Sequence, residues 1–477
     1  MTELSAPKRR PGTEAGKGVD MRALCSLSPR RFVAAGICAF GLIVSGAAKA
    51  ETLGDALVAA YRNSNIIEQN RAVLRASDED VAGAVATLRP VLRWVASAQL
   101  SDSTLNRNLT TSLGLQAEVI LFDFGRSDLA VEIAKQSVLA TRQALVGVEQ
   151  DVLLSAVQAY FSVRSAIENV AINQNSVRVL AETLRATQDK FDVGEVTRTD
   201  VAQAEARLAG ARASLAAAEG DLASAREAYR AATGGYPGLL ASAPPAPALP
   251  RILAEAQSIA QRTHPDVRQA QFQARVADLQ VDLAAAERMP DVRGTAALSR
   301  NSDGADTSRL GIELRQTIFA GGALSAAHRK AIAGRDAARS ALLQAGVFVT
   351  QGVGDAWAAI EVARAQIVAT EREIEAATIA YDGVSEEAKL GARTTLDVLD
   401  AEQALLDARA RRITAEANLQ IAFYQLLSSM GLLTAERLSL GVPIYDPEAY
   451  YNAVKNAPVT SVQGKSLDRV LKAIGKN

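Results

Sequence analysis

Asp397 and Asp400 stand three residues apart, so on a helix they project from one face. Arg393 precedes them. Gly391, two residues earlier still, is a candidate left-handed C-cap that ends one helix and lets the chain turn. Thr394 or Thr395 can cap the next helix, placing Asp397 in its first turn, where a carboxylate suits the positive end of the dipole. Two readings follow, a plain helix cap and a functional acidic cluster. Enzyme chemistry finds no support elsewhere. His264 and His328 are isolated, without ligand spacing or a nucleophile partner, and no phosphate loop or nucleophile elbow occurs. Cys25 and Cys38 both lie in the N-terminal apolar region, so no thiolate site is expected beyond it. Neither a catalytic residue, a metal site nor a cofactor is predicted.

The elements that must position the acidic pair occur twice. At an offset of 197 residues, Gly194 matches Gly391, Asp200 (with Thr199 beside it) matches Asp397, Glu205 matches Glu402 and Leu208 matches Leu405. Ala56 matches Ala256 and Pro90 matches Pro290 at an offset of 200. The chain therefore reads as a duplication. In each half the opening helical positions (Leu53, Leu57, Ala60, then Val73, Val81, Val85 in the first) run up to the proline. His264 falls where the first half has Ser64, which suggests a capping role.

Past each proline the period changes from 3.6 to 2, giving hairpins over 91–122 and 291–319 with polar loops at Asp102–Asn108 and Asn301–Thr307. Each strand has about 10 residues or more, enough to cross a membrane tilted, although alternation alone does not separate lipid from a soluble core. The hairpins end at Phe122 and Gly125, and at Phe319 and Gly322, each leading into a long helical tract. In the first tract Val148, Val152, Ala156, Ala159, Val163, Ile167 and Val170 recur at three- and four-residue steps. Helical throughout, 126–193 would span on the order of 100 Å, more than any compact domain. A returning helix is predicted over Thr199–Thr233, and the second half repeats the pair over Ala323–Leu390 and Thr395–Ser429.

Arg30 and Arg31 precede the apolar run Phe32–Val44, and Ala48 and Ala50 form a small-residue cleavage site before Glu51, so 1–50 reads as an export signal, with Met21 an alternative start. Cys38 lies in mid-run rather than at its small-residue end, which argues against a lipid-anchored mature N-terminus. The predicted organisation is then 51–233 as first repeat, 234–250 as a proline-rich extended linker, 251–433 as second repeat, and a polar tail over 434–477 that is mobile from Ser461. Aromatics make up 4% of the chain and alanine is abundant, which suits long, closely packed helices. Beyond residue 50 there are 44 Lys/Arg against 50 Asp/Glu, a net charge of −6, and no basic block that would point to nucleic acid.

This order of elements, present twice behind an export signal, resembles the TolC family of outer-membrane efflux and secretion ducts. Residues 121–126 and 391–400, with their counterparts, carry the resemblance. It implies a mostly α fold with membrane β. Three copies would close a 12-stranded β-barrel in the outer membrane, continued by a periplasmic α-helical barrel, with 434–477 forming an equatorial segment and tail. It further implies a passive exit duct for a secreted protein or a small molecule, working with a periplasmic adaptor (membrane fusion protein) and an inner-membrane ABC or RND-type pump. Gly194 and Gly391 would form the periplasmic tip. Asp397 and Asp400 would make rings of carboxylates that raise one another's pKa, select cations and bind multivalent ones. Arg393 would latch onto Thr199 and Asp200 of a neighbouring copy. Ala388 departs from the family, which has a tyrosine there that helps hold the gate shut. The missing lipid-anchor cysteine leans towards the secretion branch. The alternative is a periplasmic coiled-coil spacer with a small soluble sheet and no pore.

Overall fold

A computed structural model describes residues 50–103 and 106–456. The expected export signal up to Lys49 with its two cysteines, and the expected mobile tail from Ser461, lie outside the described residues.

The chain opens with α1 (Leu53–Asn63) and α2 (Asn65–Ala86), then forms β1 (Val91–Ser103) and β2 (Asn106–Phe122). α3 (Arg126–Asp192) and α4 (Arg198–Thr233) follow. The order recurs as α5 (Leu253–Thr263), α6 (Pro265–Ala286), β3 (Asp291–Asn301), β4 (Asp306–Arg315), α7 (Ala323–Lys389) and α8 (Thr395–Ser429), and α9 (Pro447–Val454) closes the described chain. α9 carries no periodicity long enough to announce it, and is started by the Asp446 cap and Pro447 at its first position.

The opening helices are each broken once. Ser64 caps α2, accepting from the Ile67 N–H at 3.3 Å, and His264 caps α6 through Nδ1, accepting from the Asp266 N–H at 3.2 Å. Burial pushes the His264 imidazole below its usual range, against the nearby Asp266 and Asp151 carboxylates, which favours the neutral acceptor form that a cap requires. The buried face of α2 is Ile67, Leu74, Asp78, Val81 and Ala82, whereas Val73 is exposed. The predicted apolar stripe was therefore displaced by one residue at that turn.

The long helices form as predicted to within a residue at each end. Each spans 67 residues, on the order of 100 Å. On α3, Ala156, Ala159, Val163 and Val170 are buried and Ile167 is exposed. The core gathers midway along these helices. Tyr160, Phe161, Leu153 and Val353 meet Ala56, Ala60, Ala256 and Ala260 from the short helices, Leu426 near the end of α8, and Met430 and Leu433 just past it. Alanine at those four positions, fully buried, allows the short helices to approach closely.

The proline-rich stretch is extended, as its composition predicts, yet it is a strap rather than a free linker. Leu240, Ala243 and Leu249 pack on the core, and Glu51 pairs in parallel with Leu240. The Tyr229 hydroxyl donates to the Glu51 carboxylate at 2.5 Å, and Gly238 N–H donates to it at 2.9 Å.

The four strands form one antiparallel sheet in the order β1-β2-β3-β4. Pairing continues to Ser103 opposite Asn106, so the first hairpin turn is tighter than the predicted 102–108 loop. Register puts Leu92, Trp94, Leu113, Leu115, Leu298, Leu310 and Ile312 on one face, and Arg93, Ser97, Ser112, Gln116, Thr295 and Arg309 on the other. Gly114 sits where an added Cβ would lie 2.7 Å from the Leu298 carbonyl, so no larger residue fits the β2–β3 pairing there.

Candidate functional site

The chain presents two features that need explanation, about 100 Å apart along the long helices. One is the pair of helix turns, and the other is the open sheet.

Both turns are built alike. Gly391, φ +79°, comes directly after Leu390, the C-cap of α7; its N–H donates to Ala388 O at 3.2 Å, while Ala392 N–H donates to Glu387 O at 2.9 Å. Gly194, φ +83°, does the same, with Gly194 N–H to Phe191 O and Glu195 N–H to Lys190 O, both at 2.9 Å. This is the Schellman arrangement, and its left-handed residue is glycine because a Cβ would strain there. Three residues on, Thr394 begins α8 with a capping box. Thr394 Oγ1 accepts from Asp397 N–H at 3.3 Å, and Asp397 Oδ2 accepts from Thr394 N–H at 3.0 Å and from its hydroxyl at 2.9 Å. Thr197 and Asp200 make the matching box on α4, at 3.3, 2.8 and 2.7 Å. Thr394, rather than Thr395, is thus the cap.

Within one chain, then, Asp397 and Asp200 are capping residues, and each uses Oδ2 for the purpose. The donors of Thr394, backbone then hydroxyl, hold the Asp397 carboxyl below its ordinary range, and those of Thr197 do so for Asp200. This is the opposite of the rise expected from mutual repulsion, because capping donors dominate inside a single chain. Asp400 is exposed and is ion-paired with Arg207 of α4, tying the two returning helices together. Arg393 donates through Nε to Glu387 at 2.8 Å, within its own turn. Thr199 is exposed on the first turn of α4. The fold places the two turns on neighbouring helix pairs, but in one chain it does not join Arg393 to Thr199 or Asp200.

Sequence reasoning took Glu402 only as the repeat counterpart of Glu205. Glu402 is buried, its Oε2 has no hydrogen-bond partner among the described residues, and burial pushes its carboxyl up to about 7. The signal was there. Leu399, Glu402, Leu405 and Ala408 form one buried stripe at three-residue steps, in which a glutamate is out of place.

At the far end, Phe122 closes β2 and packs edge-on against Phe124, with ring centroids 4.6 Å apart. Gly125, φ +81°, and Gly322, φ +89°, are the N-caps of α3 and α7. Phe319 also lies at the junction, but in the connection to α7 rather than in a strand, because β4 stops at Arg315 whereas β2 runs to Phe122. The first junction holds a further residue. Asp123, buried, accepts from Gly125 N–H at 3.2 Å, Ser127 N–H at 2.9 Å and Ser127 Oγ at 2.5 Å.

The sheet has both edges, β1 and β4, unpaired within the chain, and its apolar face is uncovered: Leu92 is 71% exposed, Trp94 67% and Leu310 87%. From Leu92 to Leu100 that face runs eight residue steps, roughly 26 Å at about 3.3 Å each. Bacterial outer-membrane barrels carry an apolar band about 25 Å tall. Among the described residues no helix is long and apolar enough to cross a membrane.

Comparison with known proteins agrees. Residues 56–235 and 257–432 match the outer membrane efflux protein family. The chain is 34% identical over 436 residues to the outer membrane efflux protein BepC of Brucella suis, covering 90% of this chain and 96% of that one. It is 25% identical over 436 residues to the outer membrane protein TolC of Escherichia coli, covering 83% and 86%. The solved structure of CusC superposes with a TM-score of 0.73 at 21% identity, over 80% of this chain and 92% of that one. That of VceC from Vibrio cholerae gives 0.70 at 22%, over 80% and 96%. The chain belongs to the TolC-type outer membrane efflux protein family. Members of this family are outer-membrane channels and not enzymes.

Proposed function

We propose that three copies of this chain close their sheets edge to edge into a 12-stranded outer-membrane barrel continued by a hollow helical tube, and that the assembly is the passive exit duct of a tripartite export system. One observation carries the reading: a membrane-length sheet with two open edges and an uncovered apolar face. In lipid, unpaired strand edges are prohibitive, and closure is the way a sheet removes them. A water-soluble coiled-coil spacer has no use for such a face, so the family membership and the sheet together favour the channel.

In this reading the apolar rows meet lipid, the polar rows line the lumen, and the glycine turns form the periplasmic tip. The capping box leaves Asp397 Oδ1 unengaged among the described residues and keeps the group ionised at neutral pH, so capping and a charged ring are compatible roles for one residue. Asp400 joins the ring when its bond to Arg207 is released. Arg393 trades Glu387 for Thr199 and Asp200 of the neighbouring copy when the tip closes. The duct takes its cargo, a small molecule or a secreted protein, from an inner-membrane pump of ABC or RND type through a periplasmic adaptor. Residues 1–50 are removed on export, 51–233 and 251–433 act as structural repeats joined by the 234–250 strap, and the described C-terminal segment, 434–456, lies around the tube's equator.

The experiment is outer-membrane fractionation followed by single-channel recording. A trimer with conductance is expected, and a soluble, non-conducting monomer overturns the reading. Replacing both carboxylates, Asp397→Ala with Asp400→Ala, lowers cation selectivity and weakens block by multivalent cations applied at the tip. Unchanged selectivity removes the acidic-ring assignment while leaving the duct intact.

A further inference from the structure

The polar face of the sheet carries four arginines and three carboxylates, and their pairing leaves one cation over. Register places Arg93, Arg293, Arg309 and Arg315 on that face with Glu118, Asp291 and Glu313. Glu118 pairs with Arg93 at 3.1 Å and with Arg293 at 2.7 Å. Asp291 pairs with Arg293 at 2.5 Å and with Arg126, at the start of α3, at 3.2 Å. Glu313 pairs with Arg315 at 2.7 Å. These groups cluster at the helix-proximal end of the sheet and neutralise one another.

Arg309 stands apart. It is exposed on β4 and has no ion-pair or hydrogen-bond partner among the described residues. Opposite it on β3 is Ala297, flanked on the same face by Thr295 and Ser299, and its own-strand neighbours on that face are Thr307 and Gly311. None is acidic.

β4 is an edge, so its other neighbour must come from a second copy, and the sheet order makes that neighbour β1. From Val91 to Gln99 the polar-face row of β1 reads Val, Arg, Val, Ser, Gln, without a carboxylate. Whatever register the two edges adopt over that length, closure brings Arg309 no counter-charge. It adds Arg93, whose own charge is already spent on Glu118.

We infer that Arg309 from each of three copies forms an uncompensated ring of guanidiniums inside the barrel, a binding site for multivalent anions near the outer mouth. The inference rests on the trimeric-barrel reading above. It gives the two ends of the duct opposite fixed charge, carboxylates at the periplasmic tip and guanidiniums in the barrel. A planar guanidinium donates in pairs to phosphate or carboxylate oxygens, and a ring of three facing the lumen concentrates such ligands.

The test is single-channel recording of wild type, Arg309→Gln and Arg309→Lys, with inorganic tripolyphosphate added on the barrel side. Cross-linking first establishes that each variant is trimeric. Wild type is blocked, Arg309→Lys retains block, and Arg309→Gln needs at least about tenfold more probe for the same block. Equal block of wild type and Arg309→Gln, with conductance and trimer intact, overturns the ring while sparing the duct. A wild type that forms neither trimer nor pore overturns both.

Discussion

α3 and α7 have the same length, a left-handed glycine before their first residue and a glycine turn after their last, yet they bury very different fractions of themselves. Seventeen residues of α3 are buried and six of α7. Position explains it. α3 packs on α1, α2, α4, α6 and α8, whereas α7 packs chiefly on α8, α6 and α5. Leu343, Val347 and Phe348 of α7, roughly 30 Å along the helix from its start, are left in solvent, Leu343 at 74% exposure. Leaving a large apolar side chain in water forgoes about 1.5–3 kcal/mol relative to burying it. On the trimeric reading proposed above, such a face makes α7 half of an interface between copies and α3 the chain's own core. In that reading the same periodic pattern serves two ends: on α3 it holds one copy together, and on α7 it holds copies to each other.

That comparison breaks or stands on a pair of substitutions. Phe348→Glu is expected to leave helical content intact while abolishing the cross-linked trimer. Tyr160→Ala acts on the chain itself. Its ring is fully buried and its hydroxyl donates to Glu51 O at 3.2 Å and Ala241 O at 3.1 Å, so its removal costs on the order of 3–5 kcal/mol and lowers the yield of folded protein. Should Phe348→Glu assemble normally, or unfold the chain as Tyr160→Ala does, the division of labour between the two helices fails.

Much of this architecture was legible beforehand, because long helices, alternating strands and glycine turns are written in local spacing. Gly194, Gly391 and the hairpins needed no partner to be read, whereas the choice between Thr394 and Thr395 needed the capping geometry. What local spacing hides is which side of an amphipathic element faces what. Val73 and Ile167 fit the apolar stripe and are exposed, because a long helix passes several different neighbours and its buried face drifts. The strap over 234–250 read as a spacer, since only the folded core shows where Leu240 and Leu249 dock. At the tip, residue types named Asp397 and Asp400, but their bonds to Thr394 and Arg207 depend on capping geometry and on a helix 193 residues away in sequence.

A smaller effect sharpens the contrast at the returning helices. Glu402 of α8 is buried and Glu205, its counterpart on α4, is exposed. The folded chain holds the Glu402 proton up to about pH 7, while the unfolded chain releases it near the ordinary value of 4.5. Between those values the unfolded state binds fewer protons, so stability falls as pH rises, and below about 4.5 both states are protonated and the contribution vanishes. Glu402→Gln therefore stabilises the protein at pH 8 by on the order of 3 kcal/mol and leaves it unchanged at pH 4. Glu205→Gln changes neither. Thermal unfolding at the two pH values reads the difference, and a pH-independent effect of Glu402→Gln would falsify the buried-acid account.

The least effect is expected where the long helices leave the sheet. Asp123 serves three donors at the start of α3, and Ala320 stands at the matching position before α7. Loss of a capping carboxylate costs about 0.5–2 kcal/mol, so Asp123→Ala lowers stability by about 1 kcal/mol, with part of the cost coming from orphaned N–H groups in a buried site. The reciprocal Ala320→Asp supplies an acceptor where Ala323 N–H already donates to Ala320 O at 3.0 Å and the site is open to water. It gains at most a few tenths of a kcal/mol, because solvent already satisfies much of what the carboxylate would. Equal and opposite effects of the two changes would mean that the junctions are energetically alike, and that the exposure of α7 begins only further along its length.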